Sequence, residues 1–103
     1  MASYYLDQTG DVGYCDEITI GPGQEFELDC WWDFDEHHWQ RMAFVPVDEG
    51  QVTIVRESFR REVRQDRYGT HVTVYLTTVL RNDWPQVVTV VPTVFVAPSR
   101  HRR

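Results

Sequence analysis

The chain has 103 residues, 42% of them hydrophobic and 25% charged, and its formal net charge is −6. This length accommodates a single domain with a core of its own and excludes a multidomain enzyme. No stretch approaches the roughly 18 consecutive apolar residues of a membrane-spanning helix. The negative total also argues against nucleic acid as a partner, because such binding relies on basic groups that neutralise phosphates.

The amino-terminal residues MASYYLDQTGD lack the basic start and the apolar centre of a secretory signal peptide. We therefore expect a soluble protein that is either cytoplasmic or reaches the cell surface by an export route without a leader. Residues 1–103 are expected to form one domain, with a short lead at 1–11 and a basic tail at 98–103.

The region that begins at Ile18 predicts a hairpin. Ile18 and Ile20 alternate with polar residues, and the segment GPGQ places Pro22 and Gly23 at the central positions that a type II turn prefers. The strand that follows, from Phe26 to Phe34, alternates apolar and acidic residues. Period-two alternation is typical of a strand with one buried face.

This alternation assigns the two adjacent tryptophans of that strand to opposite faces. Trp32 is expected to point into the core, and Trp31 is expected to point outward among carboxylates. The outward residues form an acidic and aromatic strip, which consists of Asp29, Trp31, Asp33 and Asp35.

Two further strands are expected in the middle of the chain, WQRMAFVPV at 39–47 and QVTIVRESF at 51–59, separated by a turn at DEG. The segment ESFRREVRQDRY is the one candidate helix, because Phe59 and Val63 are spaced for a helical face. The same residues also share one face of an extended chain, and no capping residue or apolar stripe supports a helix. The pattern therefore favours a strand that ends in a turn near QDRYG.

The last part of the chain predicts a second hairpin. Val72, Val74 and Leu76 alternate with polar residues, RNDWPQ interrupts the pattern, and a valine-rich strand runs from Val88 to Val96. The chain thus contains about seven short strands, which is typical of a two-sheet sandwich in a domain of this size. We predict an all-β fold, a two-sheet antiparallel immunoglobulin-like sandwich of about seven strands.

The order ITIGPGQEFEL, a tryptophan-bearing strand, WQRMAFVPV, RYGTHVTVYLTTVLRND and a valine-rich closing strand resembles small bacterial immunoglobulin-like domains appended to surface or lectin-type proteins. The resemblance spans most of the chain from Ile18 to Val96 and depends on structural motifs. It implies a binding or assembly module, and no catalytic residue is transferred through it.

Charge divides the chain into two unlike halves. The first 49 residues contain twelve acids and one base, a balance of −11, and the remainder contains four acids and nine bases, a balance of +5. All ten bases are arginine. Two explanations are open: codon bias of the genome, which is favoured, or selection of the planar guanidinium for interfaces. Such polarity favours contact between the halves or between copies of the molecule.

Cys15 and Cys30 are the candidate disulfide pair. A bond between them would stabilise the fold by about 3 kcal/mol through loop closure. If the first hairpin aligns its buried residues, however, Cys15 faces away from Cys30 unless a bulge intervenes. Because the chain has no signal peptide, two reduced thiols are the expected state and the disulfide is the alternative.

The histidines and carboxylates around position 35 do not match a metal site. Asp33, Asp35 and His37 would share one face of a strand, where the first and third lie about 13 Å apart, whereas zinc ligands converge to about 2.2 Å from the ion. The segment also lacks the glycine and the late glutamate of a calcium loop. No nucleophile elbow, phosphate loop or nucleotide motif is present. We expect no metal, no cofactor and no enzymatic activity.

An exposed indole among carboxylates is unfavourable unless another surface covers it, and a guanidinium can stack on such a ring. Our first hypothesis is a non-catalytic interaction module that associates with itself or with another protein, acidic strip against arginine-rich surface. The alternative is a lectin-like domain that binds carbohydrate through exposed tryptophans. For Trp31, an interface and packing within the molecule are equally open. For Trp39 and Trp84, which lie near strand ends, packing against the core is favoured over binding. The candidate binding residues are Asp29, Trp31, Asp33, Asp35, Trp39, Trp84, Arg56, Arg60 and Arg64.

Overall fold

A computed structural model describes residues 2–5, 12–14, 16–33 and 38–98 of the chain. These residues form eight β-strands and no helix, so within them no helix has the length and apolarity needed to cross a membrane. The strands are β1 (Ala2–Tyr5), β2 (Val12–Tyr14), β3 (Ile18–Ile20), β4 (Glu25–Asp33), β5 (His38–Pro46), β6 (Val52–Asp66), β7 (Gly69–Asn82) and β8 (Val88–Pro98).

The strands are arranged in two sheets, which confirms the predicted all-β, two-sheet architecture. Sheet A has the order β1-β4-β7-β6, and sheet B is built on β8, which pairs with β2, β3 and β5. All described pairs are antiparallel except β1 with β4, which is parallel. Because β1 lies within residues 1–11, part of the expected lead is a strand of sheet A.

The core lies between the sheets and is built from every second residue of the facing strands. In β4, Leu28, Cys30 and Trp32 are buried, whereas Asp29 and Trp31 between them are half-buried on the opposite side. The alternation predicted from the sequence is therefore confirmed. The two core clusters contain Leu28, Cys30, Trp32, Leu76 and Val94, and Ile18, Ile20, Leu80, Val88 and Val90.

The predicted turn at 21–24 is present, but the first predicted hairpin is wrong. The Gln24 amide donates to the Gly21 carbonyl oxygen at 3.0 Å, and Gly23 has a φ of 70°, as a type II turn requires. However, β3 pairs with β8 in sheet B, whereas β4 pairs with β1 and β7 in sheet A. The turn thus carries the chain from one sheet to the other instead of closing a hairpin.

The second predicted hairpin, formed by the last two strands, is wrong for the same reason. β7 belongs to sheet A and β8 to sheet B. Likewise, β5 belongs to sheet B and β6 to sheet A. β6 pairs instead with β7 through a turn at Arg67 and Tyr68, close to the turn predicted near QDRYG. There the Asp66 carboxylate accepts a hydrogen bond from the Tyr68 amide at 2.7 Å, and Gly69 takes a φ of 125° that other residues rarely adopt.

The β6–β7 hairpin makes the molecule long and narrow. Its extents are 52 × 23 × 20 Å, and its radius of gyration of 15.4 Å exceeds the roughly 13 Å of a compact domain of this size. Sheet B does not cover the far half of the hairpin, so Phe59 is 62% exposed and Val63 55% exposed. Both residues lie on the side of sheet A that faces the core, opposite Leu76 and Val72 respectively.

One buried side chain, Asn82, connects two places where the chain changes sheet. Its Nδ2 donates to the carbonyl oxygens of Ile20 at 2.8 Å and Gln86 at 2.7 Å, and its Oδ1 accepts from the Trp84 amide at 2.7 Å. Its backbone exchanges two hydrogen bonds of 3.0 Å with the turn at 21–24. Asn82 therefore links the end of β3, the following turn and the β7–β8 connection.

The first prediction concerns this link. Asn82→Ala should lower the free energy of unfolding by about 3 kcal/mol, because it leaves two carbonyl oxygens and one amide without their partner. Urea unfolding of the variant checks the value. Gln86→Ala is the matched control, since only the backbone of Gln86 takes part in the link. Equal stabilities of the two variants would contradict the assigned role.

The second prediction compares neighbouring residues of one type. Trp32→Ala should lower the free energy of unfolding by about 3–5 kcal/mol because it leaves a cavity in the core. Trp31→Ala should lower it by about 1 kcal/mol because the Trp31 ring lies outside the core. Urea unfolding again measures both changes. A larger loss at position 31 than at position 32 would show that the two faces of β4 have been interchanged.

Candidate functional site

The candidate site is the side of sheet A that points away from sheet B, which we call the outer face. It consists of the residues that alternate with core residues along β4, β7 and β6. In β6 a bulge between Ile54 and Arg56 shifts the alternation by one residue, so that Arg56 and every second residue after it point outward. The outer face carries Glu27, Asp29, Trp31 and Asp33 from β4, Thr73, Tyr75 and Thr77 from β7, and Arg56, Ser58, Arg60, Glu62 and Arg64 from β6.

A row of three side chains crosses the centre of the outer face. Trp31 pairs across β4 and β7 with Tyr75, which in turn pairs with Arg60 on β6. The Arg60 guanidinium carbon lies 4.2 Å from the centre of the Tyr75 ring, well within the range of cation–π attraction. The row lines an open groove of about 690 Å³, together with Asp29 and Ser58. The groove is therefore aromatic at its centre and polar at its sides.

Charge is unevenly distributed over the outer face. The β4 side carries only carboxylates, whereas arginines dominate the β6 side. The two sides meet across β7, where the Arg56 and Glu27 side chains approach to 3.5 Å. On β6 itself, Glu62 lies 2.7 Å from Arg60 and 3.6 Å from Arg64. These side chains remain largely exposed, so their pairing orients the guanidinium groups more than it stabilises the fold.

The tip of the hairpin adds a titratable pair at one end of the outer face. His71 Nε2 lies 3.2 Å from a carboxylate oxygen of Asp66, and both residues line a groove of about 360 Å³ with Asp33 and Arg64. The hydrogen bond from the Tyr68 amide, followed by the contact with His71, lowers the pKa of Asp66. This contribution to hairpin stability is present above the unfolded-state pKa and is lost as the pH falls through the lowered value.

A second ion pair lies at the opposite end of the face. Arg81 Nε donates to Asp83 at 2.6 Å, and the Thr53 hydroxyl also donates to Asp83. The hydrogen bond from Arg81, followed by that from Thr53, lowers the pKa of Asp83, and the same contact with Asp83 raises the pKa of Arg81. The β6–β7 pair is thus closed by polar contacts at both ends.

Six of the residues predicted to bind come together on the outer face, namely Asp29, Trp31, Asp33, Arg56, Arg60 and Arg64. Trp84 lies elsewhere, half-buried against the core cluster that contains Ile18 and Leu80. Trp39 is a residue of β5 in sheet B, and its side chain lies outside the described part of the structure, as does Asp35. The described part of the acidic strip and the three arginines, expected on surfaces that meet, are two sides of a single face.

The prediction from sequence missed several residues of this face, above all Tyr75. Its position was readable, because Tyr75 alternates with Val74 and Leu76 and must therefore point away from the core. Glu62 was also missed, although its position was readable from Phe59 and Val63, which share the opposite face of an extended β6.

Cys30 is buried in the core, with its Sγ 3.3 Å from the Met42 sulfur. Its candidate disulfide partner, Cys15, lies outside the described residues, so the expected reduced thiols and the alternative disulfide both stay untested. The prediction that Cys15 faces away from Cys30 depended on a β3–β4 hairpin, and this hairpin does not form.

No three histidine, cysteine, aspartate or glutamate side chains converge as metal ligands within the described ranges. Of Asp33, Asp35 and His37, which the sequence pattern did not favour as a metal site, only Asp33 falls inside those ranges.

The outer face thus brings aromatic, charged and hydrogen-bonding side chains together on one side of sheet A. A comparison of the chain with protein-family models, curated proteins and solved structures gives no match.

Proposed function

We propose that the protein is a non-catalytic interaction module that binds a protein surface, another copy or a different protein, through the outer face of sheet A. The observation that carries this proposal is the row formed by Trp31, Tyr75 and Arg60, which lies in an open groove with acids on one side and arginines on the other. Aromatic residues and arginine are the side chains that contribute most binding energy in protein interfaces.

The side chains of the outer face allow a second copy to bind face to face. A two-fold axis parallel to β7 places β4 of one copy over β6 of the other, so that Glu27 faces Arg56 twice in the complex, whereas Asp33 faces Glu62. The same rotation brings Trp31 over Arg60 of the other copy, where the guanidinium can stack on the indole. A different protein with the same division of charge would fit equally well.

The immunoglobulin-like type belongs to the same proposal. In such domains one sheet has the strand order A-B-E-D, and the other contains C, F and G. Sheet A reproduces this order with β1-β4-β7-β6, and β5 with β8 corresponds to C and F. The position of G beside β8 is taken by β2 and β3, which precede β4 in the chain, and the β1–β4 pair is parallel. Domains of this kind commonly serve as binding modules appended to surface proteins.

The third prediction tests association through the outer face. At low salt, light scattering should give a mass above that of the monomer, and the mass should fall as salt screens the opposed charges. In the associated state, Trp31 and Tyr75 should be protected from hydroxyl-radical oxidation, as located by mass spectrometry. Asp29→Asn together with Trp31→Ala should weaken association.

Thr19→Ala, an exposed change in sheet B, is the control and should leave the mass unchanged. A monomer at every ionic strength would rule out self-association. Association with no protection of Trp31 or Tyr75 would show that the outer face is not the surface used.

Carbohydrate binding is a second candidate, favoured by the side chains that line the central groove. Trp31 and Tyr75 present adjacent aromatic rings, and Asp29, Ser58 and Thr77 place polar groups around them. Sugar rings stack on aromatic faces, while their hydroxyl groups donate hydrogen bonds to carboxylates and exchange them with hydroxyl side chains.

The fourth prediction separates this candidate from the first. If the groove holds a sugar, a glycan array should show binding that is lost with Trp31→Ala and retained with Thr19→Ala. The reason is that loss of the Trp31 indole removes the stacking surface without leaving a cavity in the core. No signal above background for the unchanged protein would eliminate carbohydrate as the ligand.

A further inference from the structure

β6 is the outermost strand of sheet A, and no other described strand pairs with its second edge. It runs for 15 residues. A long edge with unpaired backbone groups is a template for another strand, and proteins commonly guard such edges with charges or bulges. The bulge in β6 interrupts only its beginning, between Ile54 and Arg56. From Arg56 to Asp66 the strand is regular up to the hairpin turn.

This regular segment carries both arginines and carboxylates, so two copies can bring opposite charges face to face. If two β6 strands pair antiparallel about a two-fold axis at Arg61, Arg60 lies opposite Glu62 of the other copy, and Arg56 lies opposite Asp66. Each of these contacts occurs twice because of the symmetry. Opposite charges in directly facing positions stabilise a strand pair, and like charges destabilise it.

The apolar residues of the segment obey the same symmetry. Phe59 lies opposite Val63 of the other copy, again twice, on the side of the sheet that faces the core. Within one copy these two side chains are 62% and 55% exposed. Pairing would cover both of them with an aromatic–aliphatic contact of the kind that stabilises neighbouring strands. The exposure of Phe59 and Val63 thus has a physical explanation in the paired state.

Other registers fit less well. Moving the axis by one residue, to Arg60 or to Glu62, keeps like charges at the axis and in addition sets Arg56 or Arg60, respectively, opposite Arg64 twice. Moving it by two residues, to Phe59 or to Val63, restores opposite charges but runs the pairing into the bulge or into the turn. Arg61 is the centre of the uninterrupted segment, so this register gives the longest regular pairing. It brings together four pairs of opposite charges and one pair of like charges, Arg61 against Arg61 at the axis.

We infer that β6 pairs edge to edge with β6 of a second copy, antiparallel and with Arg61 at the two-fold axis. The two copies then form one continuous sheet in the order β1-β4-β7-β6-β6-β7-β4-β1, and their outer faces join into a single surface. This inference goes beyond the proposed function, because it concerns the backbone edge of sheet A and not the ligand of its face.

The fifth prediction tests this register by charge exchange. Arg60→Glu and Glu62→Arg should each weaken the dimer roughly tenfold, because each variant places like charges opposite one another twice. An equimolar mixture of the two variants should regain the affinity of the unchanged protein. In the mixed dimer, the new glutamate at position 60 faces the new arginine at position 62, and the unchanged pair is also opposite in charge. Sedimentation equilibrium measures the dissociation constants.

The design separates pairing between copies from effects within one copy. Both variants lose the internal contact between Arg60 and Glu62, and mixing cannot repair it. Arg41→Glu in sheet B and Glu17→Arg before β3 change the net charge by the same amounts and should leave the dimer intact. Hydrogen exchange of the unchanged protein should show β6 amides becoming protected as its concentration rises.

A monomer at every concentration would overturn the inference, and so would a dimer that mixing fails to restore. Protected β6 amides with Trp31 still open to oxidation would support the edge pairing and reject the outer face as the self-association surface. Protected Trp31 with unprotected β6 amides and no recovery on mixing would support the outer face as the self-association surface and reject the edge pairing.

Discussion

Alternation along β4 is the constraint on which both the core and the outer face depend. Leu28, Cys30 and Trp32 build one side of the strand, and Asp29 and Trp31 build the other. A slip of one residue against β7 would exchange the two sets and bury carboxylates between the sheets. A buried, unpaired carboxylate costs several kcal/mol, so the penalty for a slip exceeds the contribution of any single contact on either face. The register that protects the core therefore also positions the groove.

The faces of β4 and the turns were predictable because both depend on neighbouring residues. The Gly21–Gln24 turn formed where Pro22 and Gly23 indicated it, with the φ that Gly23 permits. Which strands pair was not predictable in the same way. A turn signal shows that the chain reverses, but a chain that leaves one sheet can return in the other. Here the turn is hydrogen-bonded to Asn82, a residue far away in the chain, and no local sequence pattern predicts this contact.

The sequence identified individual residues of the candidate site, but it did not show that they lie together on one face. Arg60 and Trp31 were both singled out, yet only the β4–β7–β6 pairing brings them into one row. The bulge after Ile54 decides which arginines join the row, because it turns Arg60 outward and Arg61 toward the core side. A single inserted residue thus selects the charges of the outer face. Alternation alone, continued from Val52, would have selected the opposite set.

The long hairpin also bears on how the chain folds. Among the described strands, β6 and β7 are the one pair joined by a tight turn, whereas β4 with β7 and β3 with β8 unite segments that are far apart in the chain. Distant pairings form slowly, because loop closure must be completed before any contact compensates for it. We therefore expect the β6–β7 hairpin to form early in folding. Its inner strand, β7, then has an unpaired edge with which β4 can pair. The element that reaches farthest from the core in the finished molecule would then be the earliest to acquire its shape.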